Sequence, residues 1–311
     1  MQAITIGDTT FEKTTEVYVT GSNGITITGA APRFKDETLN EKEKGVFVEG
    51  RTVRISPFIM SKYEVTQELY EAVMTGNPDN LAANPFNSTS AVTGERAEYK
   101  PAEKVNWFNA VYFCNRLSEK TNLEKVYTIS IDEITGRRIT SATVEMDITK
   151  NGYRLPTEAE CELAARGGNP DDEAWWYEFS GHAASEGLTY ASEQDDGLDA
   201  VGWYDYNSVL HTHEVGKKKP NTLGIFDMSG NVFEWCWDWY NDNWLEADSL
   251  YSKNGIVINP QGPVSGERKT LRGGAYESQY CRSMLVMHKS TGTNYIVGAR
   301  TAGIRLVRTV K

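Results

Sequence analysis

The stretch that decides the fold is "LRGGAYESQYCRSMLVMHKSTGTNYIVGARTAGIRLV", Leu271 to Val307. Its ends are ordered: Arg272-Gly273-Gly274 opens it and Gly303-Ile304-Arg305-Leu306 closes it. Between them Tyr, Glu, Ser, Gln, Met, His, Thr and Asn follow one another with no sustained period. Such a segment reads as a disabled active site, a loose loop, or a surface built to touch something. The rest of the chain has to choose among the three.

Composition removes several classes. The 311 residues suffice for one large domain or two smaller ones. Hydrophobic content is 39%, low for a globular protein but above the disordered range. With 8 Trp and 16 Tyr, the core is expected to rest on large aromatics. Net charge is −11, whereas a nucleic-acid binder needs a basic stripe to displace phosphate counterions. The one short basic run, Lys217-Lys218-Lys219 before Pro220, reads as a solvated loop. Nucleic acid and anionic membrane surfaces are set aside. No window of 18 apolar residues offers a transmembrane segment. The start, "MQAITIGDTTFEKTTEVYV", has neither a basic n-region nor an apolar h-region, so a cytoplasmic setting and export with the signal removed both stay open. The four cysteines, Cys114, Cys161, Cys236 and Cys281, include no C-x-x-C pair and read as buried free thiols.

Local patterns predict short elements. Residues 1–45 alternate polar and β-branched types and form an N-terminal strand-rich extension. "VFVEGRTVRISPFIMSKYEVT" predicts two strands around a Glu49-Gly50 turn. Leu69, Tyr70, Val73 and Met74 share one helical face, and Gly76-Asn77-Pro78 stops that helix. "VNWFNAVYFCNRLSEK" predicts a second helix capped by Asn106. Tyr127 to Ile148 reads as a hairpin turning near Thr135-Gly136. Thr157 and Glu160 have capping-box spacing, and Gly167-Gly168 ends the third helix. Beyond Gly168 short, loop-rich pieces replace helical patterns.

Six blocks now stand in order: "FIMSKYEVTQELYEAVM", "VNWFNAVYFCNRLSE", "YRLPTEAECELAARGG", "NTLGIFDMSGNVFEWCWDWY", "LRGGAYESQYCRS" and "GIRLV". From Val46 to Val307 the chain resembles the formylglycine-generating-enzyme (sulfatase-modifying factor) family. The resemblance implies an α+β fold: a single elaborated C-type-lectin-like domain over 46–311, low in regular secondary structure. Enzymes of that family oxidise a sulfatase cysteine with a copper-binding cysteine pair, whose first member lies four residues past the second glycine of the RGG motif. Here that residue is Ser278, and no paired cysteine follows at the family spacing. Copper(I) wants soft thiolates, and a hydroxyl does no thiol redox chemistry. No copper is expected, and an oxidase or another enzyme on the same fold is the disfavoured alternative.

The family's calcium site maps onto Asp227, Gly230, Val232 and Glu234 in "DMSGNVFEW". Mixed carboxylates and carbonyls on a tight turn suit hard Ca²⁺, while the bland alternative has both carboxylates satisfying loop amides. His211 and His213 share one face if extended, yet no third ligand is identifiable, so they read as surface or structural histidines.

A non-enzymatic subset of the family uses the C-terminal segment differently. These are the variable proteins of diversity-generating retroelements, and the chain resembles the Treponema variable proteins most. There the frame stays fixed while reverse transcription randomises chosen adenines. The resemblance implies a ligand-binding segment at 271–307, with Tyr276, Tyr280 and Tyr295 as rigid anchors. Ser278, Ser290, Thr291 and Asn294 are adaptable polar contacts, His288 and Arg300 read charge, and Glu277, Val286 and Thr301 complete the face. Glu277, Met284 and Met287 are not simple products of an Asn codon, and "MLVM" equally reads as a core strand. A generic binding or structural member of the family therefore stays open. The implied setting is the bacterial cell surface. The implied partner is a protein or cell-surface macromolecule, bound by a monomer.

Overall fold

Helix starts are where local chemistry is most visible. The computed structural model describes residues 3–30, 45–90, 92–185, 193–241, 244–280, 290–291 and 301–310. Helix α1, Gln67–Met74, begins at Thr66, whose hydroxyl accepts the Leu69 N–H. Its Leu69, Tyr70, Val73 and Met74 are buried as one stripe, as the sequence predicts. Helix α2, Trp107–Lys120, is capped by Asn106, which accepts from Asn109 N at 2.8 Å and donates to Ile139 O at 2.8 Å. That second bond ties the helix start to the hairpin Tyr127–Thr135/Arg138–Met146. Helix α3, Glu158–Ala165, carries the predicted capping box: Thr157 Oγ1 accepts from Glu160 N at 3.2 Å, and Glu160 Oε2 accepts from Thr157 N at 2.8 Å. Unsatisfied amide groups at helix starts are thus answered in sequence-local ways.

Among the described residues, three four-stranded sheets hold these helices. One runs Ser290–Thr291, Lys269–Arg272, Phe233–Trp239, Ala302–Gly303 in spatial order, with the last pair parallel. It places both ends of the 271–307 stretch on the Trp-rich strand. The second runs Ser252–Lys253, Ile256–Ile258, Thr52–Ile55, Ile25–Thr28. The third runs Glu16–Tyr18, Phe58–Ser61, Val307–Thr309, Tyr153–Arg154. The N-terminal region is strand-bearing, but 45/46 is no structural division. Glu16–Tyr18 pairs with Phe58–Ser61, Ile25–Thr28 pairs with Thr52–Ile55, and Arg308 clasps Glu16 at 2.6 Å. The expected strand before Glu49 is absent: residues 46–48 are irregular, and the two strands of that block are Thr52–Ile55 and Phe58–Ser61. Ser56-Pro57 breaks them apart, since proline gives no ladder N–H.

Side chains of the strand Phe233–Trp239 serve two cores in alternation. Trp235 joins the cluster of α1, α2, Leu271 and Ile304, while Cys236 joins the cluster of Phe58, α3, Trp175 and Val307. Cys114, Cys161 and Cys236 are buried free thiols, as expected, and Cys281 lies outside the described residues.

Helix α3 is buried along its whole length, including Glu158, Glu160 and Glu162. Arg154 holds Glu160 through two 2.7 Å bonds. Arg272 reaches Glu162 at 2.6 Å and Glu158 at 3.4 Å, and Arg166 reaches Glu162 at 2.9 Å. Burial pushes the Glu162 carboxyl up, but Arg166 and Arg272 outweigh it and hold it below the usual carboxylate range. Removing one partner strands a buried charge. Arg272→Met is expected to cost about 3–5 kcal/mol in urea unfolding, against about 1 kcal/mol for Thr157→Ala at the helix cap. Equal losses would contradict this ranking.

Candidate functional site

The frame at the RGG end is built from backbone contacts. Gly273 (φ 89°) and Gly274 (φ 74°) take left-handed conformations that a side chain would strain. Gly273 O accepts from Gly230 N at 2.7 Å, and Tyr276 N donates to Asn231 O at 2.9 Å. Helix α4 is Asp196–Val201 and helix α5 is Asp205–Ser208. From α5, Ser208 Oγ donates to Tyr276 O at 2.7 Å and Asp205 N donates to Ser278 O at 3.2 Å. Each of these bonds uses a main-chain atom of the 273–278 segment. At the far end, Thr301 O accepts from Phe233 N at 2.9 Å.

Ser278 occupies the position where the family resemblance puts the first redox thiol. Its hydroxyl accepts from Ala275 N at 3.1 Å, and its own N–H donates to Ala275 O at 2.8 Å. The side chain closes a tight turn.

The expected contact residues divide. Glu277 is exposed, Tyr280 is 41% exposed and Ser278 is half-buried. Tyr276 and Thr301 turn inward instead, at 9% and 2% exposure. Tyr276 is drawn in by the bonds at both its N–H and its carbonyl, and Thr301 lies where the chain enters its pairing with Phe233. These two belong to the frame. Ser290 and Thr291 lie on the edge strand beside Thr270 and Leu271. Val286, His288, Asn294, Tyr295 and Arg300 lie outside the described residues.

The sequence reading missed a neighbouring loop. After α5, Val209 is 78% and Leu210 62% exposed, and Tyr206 within the helix is 58% exposed. Supporting it is His213, which shares no site with exposed His211. Nδ1 of His213 lies 2.8 Å from Glu95 Oε1, Nε2 lies 3.0 Å from Ser208 O, and the ring stacks 3.7 Å from Trp203. The basic run is not wholly solvated either: Lys218 lies 4.0 Å over the Trp203 ring and donates to Asp199 O.

Beneath the frame, Asp227, Glu234 and Glu64 gather around Arg305, all buried. Arg305 grips Glu234 at 2.6 Å, and Asp227 Oδ2 accepts from Gly216 N at 2.7 Å. Glu64, which the sequence reading did not single out, accepts from Val232 N at 3.1 Å and Asn231 Nδ2 at 2.7 Å. Burial, then neighbouring negative charge, raises Glu64 well above the usual range; burial pushes Asp227 up to about 6. Asp227 Oδ1 and Glu234 Oε2 are buried with no hydrogen-bond partner among the described residues, which suits a hard cation. Among the described residues, however, no three His, Cys, Asp or Glu side chains form a metal cluster. A cation here would depend on backbone carbonyls such as those of Gly230 and Val232.

A second buried charge sits in the Trp-rich strand. Lys269 Nζ lies 4.0, 4.7 and 3.8 Å from the rings of Trp107, Trp237 and Trp239, and donates to Trp237 O at 2.8 Å. Burial lowers Lys269 to about 7, and burial followed by the Glu158 charge pushes Asp238 up to about 8.

A lectin-type sheet framed by RGG and GIRLV, with loops hung on it by main-chain bonds, defines a C-type-lectin-like domain. Residues 9–310 match the sulfatase-modifying factor enzyme 1-like domain, and the chain belongs to that family. Among solved structures it is similar to Treponema denticola variable protein 1: 30% identity, 99% of each chain covered, TM-score 0.73. It is 36% identical over 208 residues to the chaperone protein LppX of Paenibacillus barcinonensis, covering 61% of this chain and 65% of that protein's length. It is 26% identical over 265 residues to the formylglycine-generating enzyme of Thermomonospora curvata, covering 81% of this chain and 78% of the enzyme.

The pH dependence of stability should carry the mark of Asp238. Its folded value, about 8, is raised above the ordinary 3.8, so the folded state holds a proton that the unfolded state releases. Stability therefore falls as pH rises through this window. Lys269 acts with the opposite sign only above about pH 7. Between pH 4 and 7, Asp238→Asn should gain on the native protein by up to about 1.4 kcal/mol per pH unit in denaturant titrations. Parallel profiles would show that Asp238 does not titrate as argued.

Proposed function

We propose that the chain is a non-enzymatic ligand-binding protein of the bacterial surface, whose 271–307 segment is diversified by a retroelement. One observation carries this reading: the bonds from Gly230, Asn231, Asp205 and Ser208 to residues 273–278 all end on main-chain atoms of that segment. Outward side chains there can change while the frame stays, at a cost usually within about 0.5 kcal/mol. Full-length likeness to a Treponema variable protein supports it, as does a serine closing a turn where the enzymes use a thiol. Of the expected contact residues, Glu277 and Tyr280 are exposed, while Ser278 is half-buried and closes a turn. Val286, His288, Ser290, Thr291, Asn294, Tyr295 and Arg300 extend the same proposal.

The coding DNA tests it. A near-copy of the segment for Ala275 to Thr301, differing mainly at adenines, should lie near a reverse-transcriptase gene. Its absence would remove the diversification claim. Turnover of a sulfatase cysteine peptide with copper and oxygen would instead establish the enzyme reading.

We further propose a structural Ca²⁺ held by Asp227 and Glu234 with the carbonyls of Gly230 and Val232. The two unpartnered carboxylate oxygens support it. The ion would add charge neutralisation beneath the frame. Saturating Ca²⁺ should raise the Tm by about 5 °C over the chelator-treated protein, and Glu234→Gln should abolish that difference. An identical Tm with and without Ca²⁺ in the native protein would exclude the site.

A further inference from the structure

The loop after α5 has a shape that core packing does not explain. Val209 (φ 53°) and Leu210 (φ 58°) are successive left-handed residues. That backbone is a genuine outlier for a branched side chain. Both side chains nevertheless point to solvent, 78% and 62% exposed, with Tyr206 at 58%. Scattered exposed apolar residues are ordinary, but these three crowd into the five residues Tyr206 to Leu210.

The loop is held from behind. His213 fixes the Ser208 carbonyl at 3.0 Å and is itself fixed by Glu95 at 2.8 Å. The Ser208 Oγ and Asp205 N–H bonds to Tyr276 and Ser278 then join it to the segment leading to exposed Tyr280. At the junction a cavity of about 220 Å³ opens, lined among the described residues by Glu193, Asp205, Tyr206 and Gln279. Two carboxylates supply negative charge there and the tyrosine supplies a ring face; together they suit one ammonium or guanidinium group. The chain's net charge of −11 favours the same sign of partner.

We propose that residues 205–210 form a fixed half of the ligand face, and that the partner is a protein presenting a lysine or arginine beside an apolar patch. This rests on reading 271–307 as a ligand surface. The cavity takes the cation and sets orientation. Tyr206, Val209 and Leu210 give every variant of the segment the same apolar contact, while the segment tunes partner choice. A constant anchor beside a changing surface keeps baseline affinity when the changing half is poor.

The test uses the full chain and two fluorescent peptides of equal length. One alternates leucine and tryptophan with lysine; the other carries glutamate in place of each lysine. Anisotropy at physiological salt should show the lysine peptide binding at least about tenfold more tightly. Glu193→Gln, Tyr206→Ser and Val209→Gly should each weaken it by about tenfold with Tm retained. Glycine suits the left-handed position, so Val209→Gly removes the side chain without threatening the fold. Equal binding of the two peptides, binding of neither, or loop variants that bind as the native protein does would overturn the proposal. Glu277→Gln and Tyr280→Ala run alongside. If only these lose binding, the loop is no part of the face while the reading of 271–307 stands. If only the loop variants lose it, the loop site stands and that reading fails.

Discussion

The ion pair between Arg272 and the carboxylates of α3 is the constraint on which the rest depends. Arg272 is the last residue of the strand Lys269–Arg272, immediately before the two left-handed glycines. Its guanidinium is buried against Glu162 and Glu158, so the strand has one depth and one register relative to the helix. A buried pair of this kind adds little net stability over an apolar substitute, yet breaking it is expensive. It thereby punishes any slip of the strand. Arg305 repeats the device at the other end, on Glu234 of the central strand. Two arginines thus fix the points between which the irregular segment is strung.

Those fixed points explain how an aperiodic sequence is held. Regular elements satisfy their backbone groups internally; an irregular segment must find partners elsewhere. Here Gly230, Asn231, Asp205 and Ser208 supply them. The supports come from loops distant in sequence, and those loops need their own anchoring. The His213–Glu95 contact and the Trp203 stack anchor one; Glu64 anchors the other by accepting from Val232 and Asn231. The buried polar groups form a layered scaffold whose outermost product is a shaped surface.

What the sequence made legible follows the range of each interaction. The Thr157–Glu160 box and the Asn106 cap lie within a few residues, and both appear as expected. The frame motifs were legible through family resemblance, which marks Arg272 and Arg305 without naming their partners. Glu64 was not legible, because its bond to Asn231 spans 167 positions and nothing local distinguishes a buried glutamate from a solvated one. Lys269 hid for the same reason; its three-ring cage comes from α2 and the central strand. Tyr276 misled because a tyrosine in a binding segment reads as an anchor. Its inward turn is set by bonds at its own backbone. Val209 and Leu210 went unmarked for another reason: nothing local to an apolar pair announces that it will stand in solvent, where they are 78% and 62% exposed.

Separating support from contact has a consequence for how such a surface tolerates change. If side chains of the segment held it in place, every substitution would alter both shape and chemistry. Here Gly273 O, Tyr276 N, Tyr276 O and Ser278 O carry the fastening, and those atoms are the same whatever side chain is attached. Ser278 Oγ is the exception, because it also closes the turn with Ala275 N. A residue that cannot accept at that position, such as alanine, leaves one amide less well satisfied. Glu277, by contrast, stands exposed beside that turn. Tolerance to change across the face is therefore uneven, and it is set by which side chains also serve the backbone.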